Sequence, residues 1–165
     1  MRQQADFNDK QKKIYAWLEA LGHPEKGKTI VHLAGTNGKG STGTFIAQIL
    51  SLTSAKVGHF SSPHVLDYEE RIRINGKADG QDDLENARAA IAKYQKEIGL
   101  PKLFYFEQSF IEALLLFQDL EWIVLESGIG GREDITNIIP SDYAVITTIA
   151  RDHVDKLGTD VDQIA

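Results

Sequence analysis

The chain contains no cysteine, which excludes disulfides, thiol catalysis and cysteine-ligated zinc. No uncharged apolar run approaches the ~20 residues of a membrane span. The first residues, Met1-Arg-Gln-Gln-Ala-Asp6, lack the apolar stretch of a secretion signal. No linker, repeat or low-complexity segment interrupts the sequence. Nor is there an excess of positive charge: 18 Lys and Arg stand against 24 Asp and Glu, for a net charge of −6. That balance argues against a nucleic-acid partner and leaves any anionic ligand to a local site. Together these absences agree with a cytoplasmic protein whose partners include neither nucleic acid nor membrane. What is present, 165 residues of which 42% are hydrophobic and 25% charged, suffices for one domain with a sizeable core.

Residues 33–42 read Leu-Ala-Gly-Thr-Asn-Gly-Lys-Gly-Ser-Thr, a glycine-rich loop between an apolar strand and a helix. Before it, residues 28–33 are β-branched and aliphatic; after it, Phe45, Ile46, Ile49, Leu50 and Leu52 recur at helical spacing. A strand, such a loop and a helix make an anion cradle: backbone N–H groups approach the phosphates and the helix start adds partial positive charge. Gly35, Thr36, Asn37, Gly38, Lys39, Gly40 and Ser41 are the nucleotide-binding candidates. Lys39 is placed to reach the β- and γ-phosphates, and Ser41 to offer a hydroxyl to Mg²⁺. The spacing departs from the common phosphate loop: only Thr36 and Asn37 lie between the first glycine and Gly38-Lys39, and Gly40 precedes Ser41.

The rest of the chain alternates helices and strands, the cadence of an α/β domain with a largely parallel sheet. Asp6 or Asn8 caps a first helix carrying Ile14, Tyr15, Trp17, Leu18 and Leu21 inward, ended by Gly22 and Pro24. Strands are expected over 29–34, 56–60, 122–126 and 143–149, with a further strand from Arg71 entering a tight Asn75-Gly76 turn. Helices are expected over 41–53, from a capping box of Asp82 with Glu85, and over 106–118. The last residues, 161–165, read as the first turn of a helix without a stop signal, so the chain is expected to be part of a longer enzyme.

In such folds ligands sit beyond the carboxyl ends of the strands. Three polar clusters fall there: the loop at 35–41, Glu126 with its following glycines, and Asp152-His153. A carboxylate such as Glu126 suits a hard Mg²⁺ ion beside phosphates, whereas imidazole suits softer metals. Arg71 and Arg73, two apart on an expected strand, share a face, either to bind a carboxylate or as solvated charges.

Four segments in order resemble the amino-terminal part of the folylpolyglutamate and dihydrofolate synthases, within the Mur-ligase-like ATP-dependent amide ligases. They are Ala34 to Ser41; Ser61-Ser-Pro-His64 with Glu70-Arg-Ile-Arg-Ile-Asn-Gly76; Glu126 to Asn137; and Ile149 to His153 with Leu157-Gly158. The resemblance implies a P-loop NTPase-like α/β fold of the Mur ligase central-domain type, occupying 1–165 but incomplete, with a carboxyl-terminal domain and a modified lysine beyond Ala165. It implies ATP and Mg²⁺, with Ser41, Ser62, Glu126 and His153 around the metal and Lys39 acting on the phosphates. Tyr105, Phe106 and Glu107, with Glu133, Asp134 and Ile135, match positions that hold the pterin-bearing substrate. The implied reaction joins L-glutamate to a reduced folate or dihydropteroate through an acyl phosphate, in an enzyme monomeric at full length. A Mur-like ligase acting on a cell-wall precursor, and a non-catalytic nucleotide-binding module, stay open as alternatives.

Overall fold

A computed structural model describes residues 7–78 and 80–164; Asp6, one of the two candidate caps, and Ala165 lie outside the described residues. In chain order the elements are α1 (Asp9–Ala20), β1 (Thr29–Ala34), α2 (Lys39–Ser51), β2 (Val57–Phe60), β3 (Ile72–Ile74) and β4 (Lys77–Ala78). There follow α3 (Gln81–Ile98), α4 (Tyr105–Leu116), β5 (Trp122–Glu126), β6 (Tyr143–Ile146), and the short α5 (Val154–Leu157) and α6 (Val161–Ile164). Single 3₁₀ turns cover Tyr68–Arg71 and Ile135–Ile138.

The strands form one sheet in the order β4-β3-β2-β5-β1-β6. β2, β5, β1 and β6 are mutually parallel, so their carboxyl ends share one edge; β3 runs antiparallel to β2, and β4 antiparallel to β3, extending the sheet past β2. The expected α/β fold with a mostly parallel sheet is thus present. Asn75 and Gly76, with φ of 51° and 77°, make the tight β3–β4 turn that their sequence announces.

Both faces of a parallel sheet must be covered. On one face α1, α3 and α4 bury Trp17, Leu84 and Phe110 against Phe60, Ile72 and Leu125 of the strands. On the other, α2 covers Val31, Leu33, Val57 and Val124. Its packing differs from the periodicity reading. Gly43 and Ala47 face the sheet, while Phe45 and Leu52 are 68% and 85% exposed. The cause is close approach: a Cβ on Gly43 would lie 2.6 Å from His59 Nε2, so only small residues fit against β2.

Other boundaries shift for local reasons. Asn8 caps α1 as expected, accepting from Gln11 N at 2.9 Å while Gln11 Oε1 accepts from Asn8 N at 3.2 Å. The buried Gln11 amide then donates to Asp134 O at 2.9 Å and Arg132 O at 3.2 Å, tying α1 to the loop after β5. α3 starts at Gln81 behind Gly80, so Asp82 sits in the first turn, where its charge favours the helix dipole, instead of capping. β6 ends at Ile146, three residues before the expected boundary, because the chain turns there to buttress the glycine loop.

Gly58 of β2 lies under Phe117, whose ring carbons would be 2.7 Å from an added Cβ. Gly58→Ala is therefore expected to cost about 1–3 kcal/mol through overpacking. Urea unfolding checks this, and an unchanged midpoint would contradict it.

Candidate nucleotide and metal site

The loop leaves β1 at Ala34 and enters α2 at Lys39. Gly35 adopts φ 138°, and a Cβ there would run into Thr147 Oγ1; Gly38 adopts φ 87° as the residue preceding the helix. No side chain caps α2, so its first N–H groups remain available to an anion. The loop is held from behind by the segment after β6. Thr147 N donates to Ala34 O at 2.9 Å, Thr36 N to Thr148 O at 2.8 Å, and Thr148 Oγ1 to Asn37 O at 3.1 Å. Thr36 Oγ1 donates to Ala150 O and accepts from Ala150 N, each at 3.0 Å. Sequence reasoning missed Thr147 and Thr148 as loop supports; a Thr-Thr pair closing an apolar strand was the available signal. Lys39 Nζ donates to Gly35 O at 2.6 Å and Thr36 O at 3.4 Å, bracing the loop.

Facing the loop across a cleft of about 560 Å³ are Ser61, Ser62, Pro63, Val65, Glu70, Arg73 and Glu126, with Gly38, Gly40, Ser41, Thr44 and Phe45 on the loop side. Glu126 ends β5, directly paired with Leu33 of β1, and is 4% exposed. Its Oε2 accepts from Ser62 N at 3.1 Å, which joins the tips of β2 and β5. Burial pushes its carboxyl above the usual range, opposed by the Ser62 N–H and by the charges of Lys39 and Arg73. Glu70 is engaged elsewhere: its oxygens accept from the N–H groups of Val65, Leu66 and Asp67, and these bonds hold its carboxyl low.

The structure thus gathers Gly38, Gly40, Ser41, Ser62 and Glu126 around one cleft. The hydroxyl and carboxylate oxygens of Ser41, Ser62 and Glu126 are hard donors and fit Mg²⁺ chemically. His153 is not among the lining residues. It adopts φ 47° ahead of α5, and its Nε2 lies 3.8 Å from Asp152 Oδ2 with the ring partly exposed. Among the described residues, no group of three or more His, Asp or Glu side chains is placed to hold a metal.

The expected substrate residues have diverse surroundings. Phe106 packs 5.7 Å from Phe60 and covers Gly128, and Tyr105 is exposed beside Tyr68. Glu133 is exposed, with its carbonyl accepting from Asn8 Nδ2 at 3.0 Å. Glu107 is turned inward, 2.5 Å from Lys13 Nζ and accepting from Phe104 N at 2.7 Å. Asp134 Oδ2 accepts from Gly128 N and Ile129 N, and Oδ1 from Thr136 N and Oγ1, so the carboxylate shapes the loop. Ile135 belongs to the core. Arg71 and Arg73 do not share a face: Arg71 ends a 3₁₀ turn, donating from Nε to His64 Nδ1 at 2.9 Å, while Arg73 lines the cleft.

A parallel sheet with a glycine-loop cleft at its strand tips defines a nucleotide-site α/β domain. Residues 33–165 match the Mur ligase middle domain, and the chain belongs to that family. It is 42% identical over 147 residues to the dihydrofolate synthase/folylpolyglutamate synthase of Escherichia coli K12, covering 87% of this chain and 34% of that protein. It is 35% identical over 162 residues to the folylpolyglutamate synthase of Lacticaseibacillus casei, covering 93% and 37%. The structure of E. coli FolC with DHPP and ADP superposes with a TM-score of 0.83 at 37% identity, covering 96% of this chain and 37% of that one. A bifunctional folylpolyglutamate synthase/dihydrofolate synthase with Mn, AMPPNP and L-glutamate gives 0.84 at 40% identity, covering 93% and 38%. The chain spans about a third of the length of these relatives. No helix among the described residues is long and apolar enough to cross a membrane.

Beneath α2, His59 is 2% exposed and its Nε2 has no hydrogen-bond partner. Burial and the nearby Arg73 charge push its pKa down to about 4. A histidine whose folded pKa is depressed takes its proton first in the unfolded chain, so stability falls as pH drops from about 6.5 towards 4. Between pH 7 and 5 this group is expected to remove about 2 kcal/mol. His59→Phe should flatten that part of a urea-unfolding pH series; parallel curves for the two proteins would contradict the assignment.

Proposed function

We propose that the chain supplies the nucleotide-binding part of an ATP-dependent ligase that joins L-glutamate to the carboxylate of a reduced folate or dihydropteroate. The observation that carries this reading is the single cleft uniting the glycine loop with Ser62 and Glu126. Relatives include a dihydrofolate synthase/folylpolyglutamate synthase and a folylpolyglutamate synthase, and two similar structures hold ADP and AMPPNP.

A carboxylate is a poor electrophile until it gains a leaving group. In the proposed reaction its oxygen attacks the γ-phosphorus, the β–γ bridging bond breaks, and ADP departs to leave an acyl phosphate. The glutamate amine then attacks the acyl carbon, phosphate leaves with the bonding electrons, and the amine proton is released. The protein needs no nucleophile of its own, in keeping with a chain without cysteine. Its task is to hold anions together in a water-poor site. The N–H groups of 38–41 receive the phosphates, and Lys39 exchanges its loop carbonyls for phosphate oxygens. Ser41, Ser62 and Glu126 would hold Mg²⁺, with His153 as the further ligand the family resemblance implies, and the ion would supply neutralisation of phosphate charge. Phe106 and Tyr105 offer aromatic faces to the pterin-bearing acid, and Glu133 is exposed on the loop that the Asp134 carboxylate shapes.

The account assigns ligation to a polypeptide of the relatives' length. The 165-residue chain alone is expected to bind Mg·ATP weakly and form no amide. In the longer protein, Lys39→Ala should remove at least about 99% of ADP release dependent on both acid and glutamate, while circular dichroism stays unchanged. Near-normal turnover by that variant would remove Lys39 from the mechanism. Amide formation with a UDP-linked acid in place of both pterin acids would overturn the substrate assignment.

A further inference from the structure

The cleft contains a second cation that the nucleotide reading leaves without a role. Arg73 sits on β3 directly opposite His59 of β2. Residues opposite one another on antiparallel strands share a face, and His59 faces Gly43 of α2. The Arg73 side chain therefore emerges beside the first turns of α2, across the cleft from Ser41 and Gly40. Among the described residues no carboxylate lies within 4 Å of its guanidinium. The nearby acids are otherwise engaged: Glu70 accepts three backbone N–H groups, and Glu126 accepts from Ser62 N. The charge of Arg73 acts on residues of three separate elements, disfavouring protonation of His59, Glu70 and Glu126, although burial still holds Glu126 high. A guanidinium that lines the cleft and forms no ion pair among the described residues is available to an anion entering it.

We propose that Arg73 receives the terminal phosphate of the bound nucleoside triphosphate. The inference rests on the nucleotide reading above and deepens it. The first N–H groups of α2 take the inner phosphates at the loop. The outermost phosphate then extends away from the loop towards Ser62, Glu126 and the unpaired guanidinium. Arginine suits this position, because its planar fork matches two oxygens of one phosphoryl group and its charge does not titrate. Lysine would bring a point charge on a flexible stem and recover only part of the contact. Arg73 thereby separates triphosphate from diphosphate, and it holds the phosphoryl group on the side of the cleft where an acid must approach.

The test is titration of the ¹⁵N-labelled chain with Mg·AMPPNP and with Mg·ADP, following the amide signals of residues 35–41. Arg73→Gln should weaken AMPPNP binding roughly tenfold and leave ADP within about twofold. Arg73→Lys should fall between Gln and wild type, which also covers the case in which the Gln variant does not fold. Equal weakening of both nucleotides, or of neither, would overturn the assignment to the terminal phosphate. Should the wild-type chain show no shifts at 35–41 with either nucleotide, the nucleotide reading itself falls, and this inference with it.

Discussion

The part-buried hydrogen bond from Ser62 N to Glu126 Oε2, 3.1 Å long, is the constraint on which the site depends. It fastens the segment leaving β2 to the tip of β5, and β5 is in turn paired with β1, from which the glycine loop departs. A buried carboxylate held by one backbone donor is otherwise unfavourable, as the upward displacement of its protonation equilibrium records. The fold tolerates it where cations converge: Lys39 on one side and Arg73 on the other both favour its charged form. A bound metal ion would add to that stabilisation.

The glycine loop is likewise held by its surroundings. A glycine turn with φ of 138° and 87° has few side chains to fix it, so its shape comes from outside. Thr36, Thr147 and Thr148 supply that support through hydrogen bonds linking the loop to the chain after β6. Gly43 and Ala47 complete it by letting α2 lie close to β2. The helix consequently turns Phe45 and Leu52 outward.

Much of this architecture was legible in the sequence. The run at 29–34, the loop, the Asn75-Gly76 turn and the strand ending at Glu126 all fall where propensity and spacing put them, because local rules decide them. The helix after the loop shows where such rules stop. Of the apolar residues recurring at helical spacing, Ile46 and Leu50 pack on the core, whereas Phe45, Ile49 and Leu52 are exposed, because crowding at His59 brings Gly43 and Ala47 to the sheet. Polar residues were harder still. Glu107 and Asp134 entered as substrate-holding positions by family resemblance; that their carboxylates also cap a helix and shape a loop is visible only once the partner N–H groups are located. Arg71 and Arg73 looked alike until a 3₁₀ turn, entered through a capping box of Asp67 with Glu70, sent them to different sides of the sheet.

The central claim is that the tips of β1, β2 and β5 form one metal–nucleotide cleft. Paramagnetic broadening by Mn·ATP, read across the amide spectrum of the ¹⁵N-labelled chain, tests it most directly. The account predicts that the signals of Gly40, Ser41, Ser62 and Glu126 broaden together at the lowest metal concentrations. Broadening confined to the loop, with Ser62 and Glu126 untouched, or centred instead on an unrelated acidic stretch such as Asp82-Asp83, would contradict it.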